Sequence, residues 1–192
     1  MIELLLLSGN KHKYAEIAEV AGRYGVKVTP LEGFKVEIQD DDLSRIALTA
    51  ALIGYSILGK PVLVEDAGLF IKALNGFPGP YSSYVFKTLG VHGILKLMEG
   101  VAERDACFKS VAVAVVDGNV VKGYGEVCGY ITVEPKGSRG FGFDPIFTPR
   151  DQPGRTFAEM DVAEKNKYSH RAKAVAAVFE KVGSLLGVSM HG

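Results

Sequence analysis

Residues 2–31 read IELLLLSGNKHKYAEIAEVAGRYGVKVTPL. Residues 2–7 are a short apolar run of the kind that makes a buried strand. Asn10 is placed to cap a helix in which Tyr14, Ile17, Ala21 and Tyr24 recur at helical spacing, and Gly25 is a natural stop. Residues 26–31 then read as a second strand. Strand, helix, strand predicts an α/β fold with at least one parallel strand pair.

Working outward, residues 35–42 are polar and end in Asp40, Asp41 and Asp42. A helix is expected next, with Leu43, Ile46, Ala47, Ala50, Ile53, Ile57 and Leu58 on its apolar face and Gly59 and Pro61 ending it. Residues 61–65 read as a strand that stops at the acids Glu65 and Asp66. Residues 75–80 form a turn-rich loop, and two short helical patterns cover 81–89 and 91–98. Residues 108–116, 119–124 and 127–133 read as a strand meander with Asp117-Gly118 as a hairpin turn. Ala172, Val175, Ala176, Phe179, Val182 and Leu186 mark a long C-terminal amphipathic helix. With no repeats and no linker, the expectation is one domain over residues 1–192, built as two lobes around a cleft.

At 192 residues and 47% hydrophobic, the chain can bury a core without disulfides or structural metal. Lys plus Arg equals Asp plus Glu at 22 each, which argues against a nucleic-acid partner and for a small phosphate ligand in a local pocket. The two cysteines, Cys107 and Cys128, lie in strand-like stretches without C-x-x-C spacing. They are expected to be core thiols of a reducing cytosol, neither a zinc site nor a disulfide. The absence of a charged leader or an apolar run of about 20 residues predicts a cytoplasmic chain with no membrane partner.

Four segments carry chemistry. Ser8-Gly9-Asn10-Lys11-His12-Lys13 joins a strand to a helix N-terminus, where free backbone N–H groups bind phosphate; an ordinary capped helix would look the same. Glu65-Asp66-Ala67-Gly68 follows an apolar strand. Adjacent side chains on a strand face opposite ways, and bare charges are costly to bury, so one acid should reach a cleft to hold magnesium or accept a proton. The alternative is a solvated turn. Phe141-Gly142-Phe143-Asp144 offers ring faces to a flat base, or simply anchors a loop. Ser169-His170-Arg171, with Lys165 upstream, opens the last helix. A cation is disfavoured at a helix N-terminus, so an anion or polar ligand near Arg171 would compensate. Gly54 to Lys60 has P-loop spacing, but Pro61 replaces the required Ser or Thr and no strand precedes it.

With Gly76-Phe77-Pro78-Gly79-Pro80-Tyr81-Ser82-Ser83, these segments stand in the order found in the inosine triphosphate pyrophosphatase family, which the chain resembles over nearly its whole length in an archaeal-like form. Ala67 departs from the family's usual Ser. The resemblance implies hydrolysis of damaged-purine triphosphates (ITP, dITP, XTP) to monophosphate and pyrophosphate by an elongated, two-lobed α/β fold, a mixed sheet with flanking helices and a central cleft. It implies that Ser8, Gly9, Asn10, Lys11, His12 and Lys13 bind the triphosphate, that Glu37 and Asp66 hold Mg2+, and that Asp66, aided by Lys13, is catalytic. It implies that Ala67, Phe141, Gly142, Phe143, Asp144, Lys165, His170 and Arg171 contact the nucleotide, and that the protein is a homodimer. Two rivals are a phosphoribosyltransferase, whose hydroxyl-rich loop after the acids is absent here, and a non-catalytic nucleotide-binding module, which has no use for Asp66 beside a phosphate cradle.

Overall fold

The structure is a computed structural model that describes residues 2–187. The expected domain over 1–192 extends at both ends outside the described residues. In chain order the elements are β1 (Ile2–Leu6), α1 (Lys11–Arg23), β2 (Val26–Pro30), α2 (Leu43–Leu58), β3 (Val62–Ile71), β4 (Pro78–Gly79), α3 (Ser82–Thr88), α4 (Gly90–Leu97), β5 (Asp105–Val116), β6 (Asn119–Ile131), β7 (Phe147–Pro149), α5 (Val162–Asn166) and α6 (His170–Leu185). The expected opening holds. Asn10 caps α1 by accepting from the Lys13 backbone N–H, and Gly25, at φ 63°, turns the chain into β2. β1 pairs in parallel with both β2 and β3.

One mixed sheet runs β2-β1-β3-β5-β6-β7, with β4 added against β3. The long antiparallel strands β3, β5 and β6 carry two apolar clusters in succession on one face. Leu63, Ala112, Ala114 and Val121 pack under α1 and α6, through Ile17, Val20, Val175 and Phe179. Farther along the same strands, Leu69, Ile71, Phe108 and Val127 pack with Ile94 of α4, Phe147 and Phe157. Between the two clusters that face is polar, carrying Glu65 and Ser110. The opposite face of the sheet is covered by α2, through Val62, Val64, Val111 and Val113 against Leu43, Ala47, Ala50 and Ala51.

Four expectations are corrected. β3 does not stop at the acids but carries Glu65 and Asp66 mid-strand, because β5 pairs with it through Ile71. Residues 119–131 form one strand, not two. Its glycines serve close approach: a Cβ on Gly125 would lie 1.9 Å from the His170 carbonyl oxygen, and one on Gly123 would lie 2.1 Å from that of Ala174. Ile57 is 63% exposed, since the buried stripe of α2 ends at Gly54. Cys107 and Cys128 are half-buried rather than core residues, and form a disulfide because the hairpin places them directly opposite each other.

Gly125 therefore sets the height of the α6 N-terminus above the sheet. Gly125→Ala forces the helix away and is expected to lower stability by about 1–3 kcal/mol, the usual scale of overpacking. Urea unfolding measures this, and an unchanged midpoint would contradict the close-approach role.

Candidate active site

The polar seam between the two apolar clusters is built on Glu65, whose side chain is fully buried. Ser110 Oγ donates to its Oε1 at 2.5 Å. Lys13 Nζ lies 3.0 Å from Oε2 and also donates to the Glu65 carbonyl at 2.9 Å. Arg171 Nε lies 3.1 Å from Oε2. Burial alone would raise the Glu65 pKa, but Arg171, Lys13 and the Ser110 hydroxyl outweigh it and hold the carboxyl far below its usual range. Glu65 stays charged, and it ties the first turn of α1 to the first turn of α6. Ser169 caps α6 as expected, accepting from the Ala172 N–H.

A second buried acid completes this arrangement. Glu16 projects from α1 toward α6 and contacts Lys165 Nζ at 2.6 Å through Oε1 and Arg171 Nη1 at 2.5 Å through Oε2. Burial pushes the Glu16 pKa up, but Arg171 and Lys165 pull it further down. Of the two alternatives the position of Arg171 left open, an anion or a polar ligand, the structure supplies anions, these two acids. Lys165 also donates to Asp144 Oδ2 at 2.6 Å, and the same oxygen accepts from the Phe141 N–H at 2.9 Å. Phe141 is thereby held with its ring centroid 5.2 Å from both Lys165 Nζ and Arg171 Cζ, while His12 stacks at 5.6 Å. Gly142, at φ 63°, gives this loop its bend. His170 stacks on Phe108 at 4.7 Å. Burial, then Arg171, depresses its pKa well below 6.5, so the imidazole is neutral. Its Nδ1 is buried without a hydrogen-bond partner among the described residues.

At the other end, Asp66 faces the α2 side of the sheet and remains partly accessible. Burial raises its pKa, with Lys35 and Lys13 opposing. Lys35 Nζ lies 2.5 Å from Glu37 and 3.6 Å from Asp66, so the two carboxylates converge on one positive charge. Ser8 Oγ accepts from the Asn10 N–H at 3.2 Å, and Lys11 and His12 are exposed beside this turn. The Ala67 N–H donates to Asp66 Oδ1 at 3.2 Å.

The structure thus brings His12, Lys13, Phe141, Asp144, Lys165, His170 and Arg171 to the buried charges of Glu65 and Glu16, while Asp66 and Glu37 meet at Lys35 from the opposite face of the sheet. Phe143 joins neither group. It is buried in the second cluster, edge-on to Phe86 at 5.5 Å, and anchors the loop. Sequence reasoning missed Glu16, Lys35, and Glu65 as the hub. Glu16 carried a usable signal: the spacing of Lys13, Glu16, Ile17 and Val20 puts it on the apolar stripe of α1, where an acid needs buried cations.

Removing one member of a buried ion-pair network leaves the others uncompensated, typically at about 3–5 kcal/mol. Glu16→Gln retains a hydrogen-bonding side chain, so a loss near ~3 kcal/mol is expected by urea unfolding. A change under about 0.5 kcal/mol, the scale of ordinary surface substitutions, would contradict the network.

A family model, that of the Ham1 family, matches residues 4–181. The chain is 52% identical over 171 residues to the dITP/XTP pyrophosphatase of Hyperthermus butylicus, covering 89% of this chain and 90% of that one. It is 46% identical over 180 residues to the dITP/XTP pyrophosphatase of Saccharolobus solfataricus, covering 93% of each. Among solved structures, a HAM1 protein from Coxiella burnetii superimposes with a TM-score of 0.79 at 31% identity, over 97% of this chain and 99% of that one. The Staphylococcus aureus Ham1 protein gives 0.80 at 25% identity, over 95% and 99%. The chain belongs to the Ham1 family.

Proposed function

We propose that the protein hydrolyses damaged-purine nucleoside triphosphates, ITP, dITP and XTP, to the monophosphate and pyrophosphate. The observation that carries this reading is the linkage through Glu65: Lys13 at a helix N-terminus and the neighbouring, partly accessible Asp66 on one side, and the cations Arg171 and Lys165 around the Phe141 ring on the other. Lys13 keeps an N–H for a phosphate oxygen beyond its two contacts with Glu65. With the outer phosphates at Asn10 to Lys13, water attacks the α-phosphorus. Asp66 accepts its proton, and pyrophosphate leaves.

Glu37 and Asp66 fit Mg2+: both are oxygen donors, and both already converge on a cation, the Lys35 ammonium. The ion would offset charge on the polyphosphate. The base stacks against Phe141. Two stacking gaps need about 7 Å between that ring and the Arg171 plane, so the 5.2 Å spacing opens as the base enters. Arg171 offers only donors, and neutral His170 offers one. Donors pair with the 6-oxo group of hypoxanthine or xanthine and leave an adenine amino group unpaired, at about 1–3 kcal/mol for each buried mismatch.

An enzyme of this kind would act on the free nucleotide pool, and we place it in the cytoplasm on that ground. Phe77, Tyr81, Tyr84, Phe86 and Leu89 are exposed large apolar residues on one short segment, a composition suited to a homodimer interface.

Chromatography of ITP digests should show inosine monophosphate and pyrophosphate, and Asp66→Asn should lower turnover at least ~100-fold. Inosine diphosphate as the first product, or near-normal turnover of the variant, would refute the reading. Because burial keeps His170 neutral on both sides of its ordinary pKa of 6.5, the ITP-to-ATP ratio of kcat/KM should stay level from about pH 5.5 to 8. A step in that ratio near pH 6.5 would show a titrating imidazole. Sedimentation at micromolar concentration should give a dimer, and a monomer would remove the interface.

A further inference from the structure

The face of the sheet opposite Glu65 carries a group that plays no part in the chemistry above. Cys107 on β5 and Cys128 on β6 are cross-strand partners with Cα atoms 4.0 Å apart. Glu126 lies two residues before Cys128 and therefore on the same face. One ligand atom from each of the three lies within 4.8 Å of the others. Glu126 presents Oε1 to Cys128 Sγ at 3.4 Å, while its Oε2 lies 3.4 Å from Lys109 Nζ. The cysteines are half-buried and Glu126 is exposed, so solutes reach the group.

We propose that Cys107, Cys128 and Glu126 form a redox-gated site for one thiophilic divalent cation of the zinc class. In the disulfide form no thiolate is available. A dithiol reductant delivers two electrons and two protons to the disulfide, giving two thiols, and departs as its own disulfide. A divalent cation then forms two metal–sulfur bonds as two protons leave to solvent. The Glu126 carboxylate supplies a third ligand and water a fourth. Two sulfurs on one tetrahedral zinc lie roughly 3.8 Å apart, from Zn–S bonds near 2.3 Å. Directly opposed cysteines of one hairpin reach that separation by side-chain rotation alone. Soft thiolates select zinc-like ions over magnesium, so this site does not compete with Glu37 and Asp66. The missing C-x-x-C spacing is no obstacle, because the ligands come from two strands held by the sheet.

The test uses the whole chain, reduced with a dithiol, desalted without oxygen and titrated with Co2+. One equivalent should bind and produce a thiolate-to-cobalt charge-transfer band in the near ultraviolet. Carboxylate sites do not produce that band. Untreated protein and Cys128→Ser should lack it, with ITP turnover in magnesium unchanged in the variant. Glu126→Gln should keep the band but weaken binding at least about tenfold. A reduced wild-type chain without the band would overturn the proposal without mutation, and so would a band of equal affinity in Cys128→Ser.

Discussion

A fully buried carboxylate is the constraint on which the rest of this molecule depends. Glu65 lies mid-strand where water cannot reach it, and an isolated charge there would be prohibitively costly. It is tolerated because Lys13, Arg171 and Ser110 converge on it. Those partners come from α1, α6 and β5, so satisfying one charge fixes two helix N-termini against the sheet. Such a network is weak evidence for stability in itself, since a well-packed apolar core serves as well or better. Its value here is positional: it interrupts an otherwise continuous apolar face and holds cations at the interruption.

Glu16 repeats the arrangement one layer out. Through Lys165 and Asp144 it governs where Phe141 sits, so an acid on the first helix sets the position of an aromatic ring in a distant loop. The Lys13 end and the Phe141 end are therefore parts of one connected set of buried charges. Asp66, next to Glu65 but facing the other way, is left partly accessible, because alternation along a strand sends neighbouring side chains to opposite faces.

Much of this was legible in the sequence where the signal is local. The Asn10 cap, the Gly25 stop, the Asp117-Gly118 turn and the Ser169 cap are all short-range chemistry, and the structure has them where the residues indicate. Arg171 at a helix start called for an anion or polar ligand, though not which one. What could not be read depends on pairing between distant segments. The continuity of β6 through Gly125 was not legible, because the helix that this glycine accommodates lies 45 residues later. The Cys107–Cys128 contact follows from the register of β5 against β6 and leaves no spacing signature. Phe143 and Phe141 are alike in sequence, yet one anchors the second core cluster and the other meets Arg171, a distinction made only by the fold of the loop.

On this account the site presents the α-phosphorus, not the β-phosphorus, to water. Hydrolysis of ITP in oxygen-18-enriched water, followed by mass spectrometry of both products, tests it directly. Attack at the α-phosphorus places the heavy oxygen in inosine monophosphate and leaves the pyrophosphate unlabelled. Label in the pyrophosphate instead would mean attack at the β-phosphorus, and would contradict the placement of the triphosphate along Asn10 to Lys13.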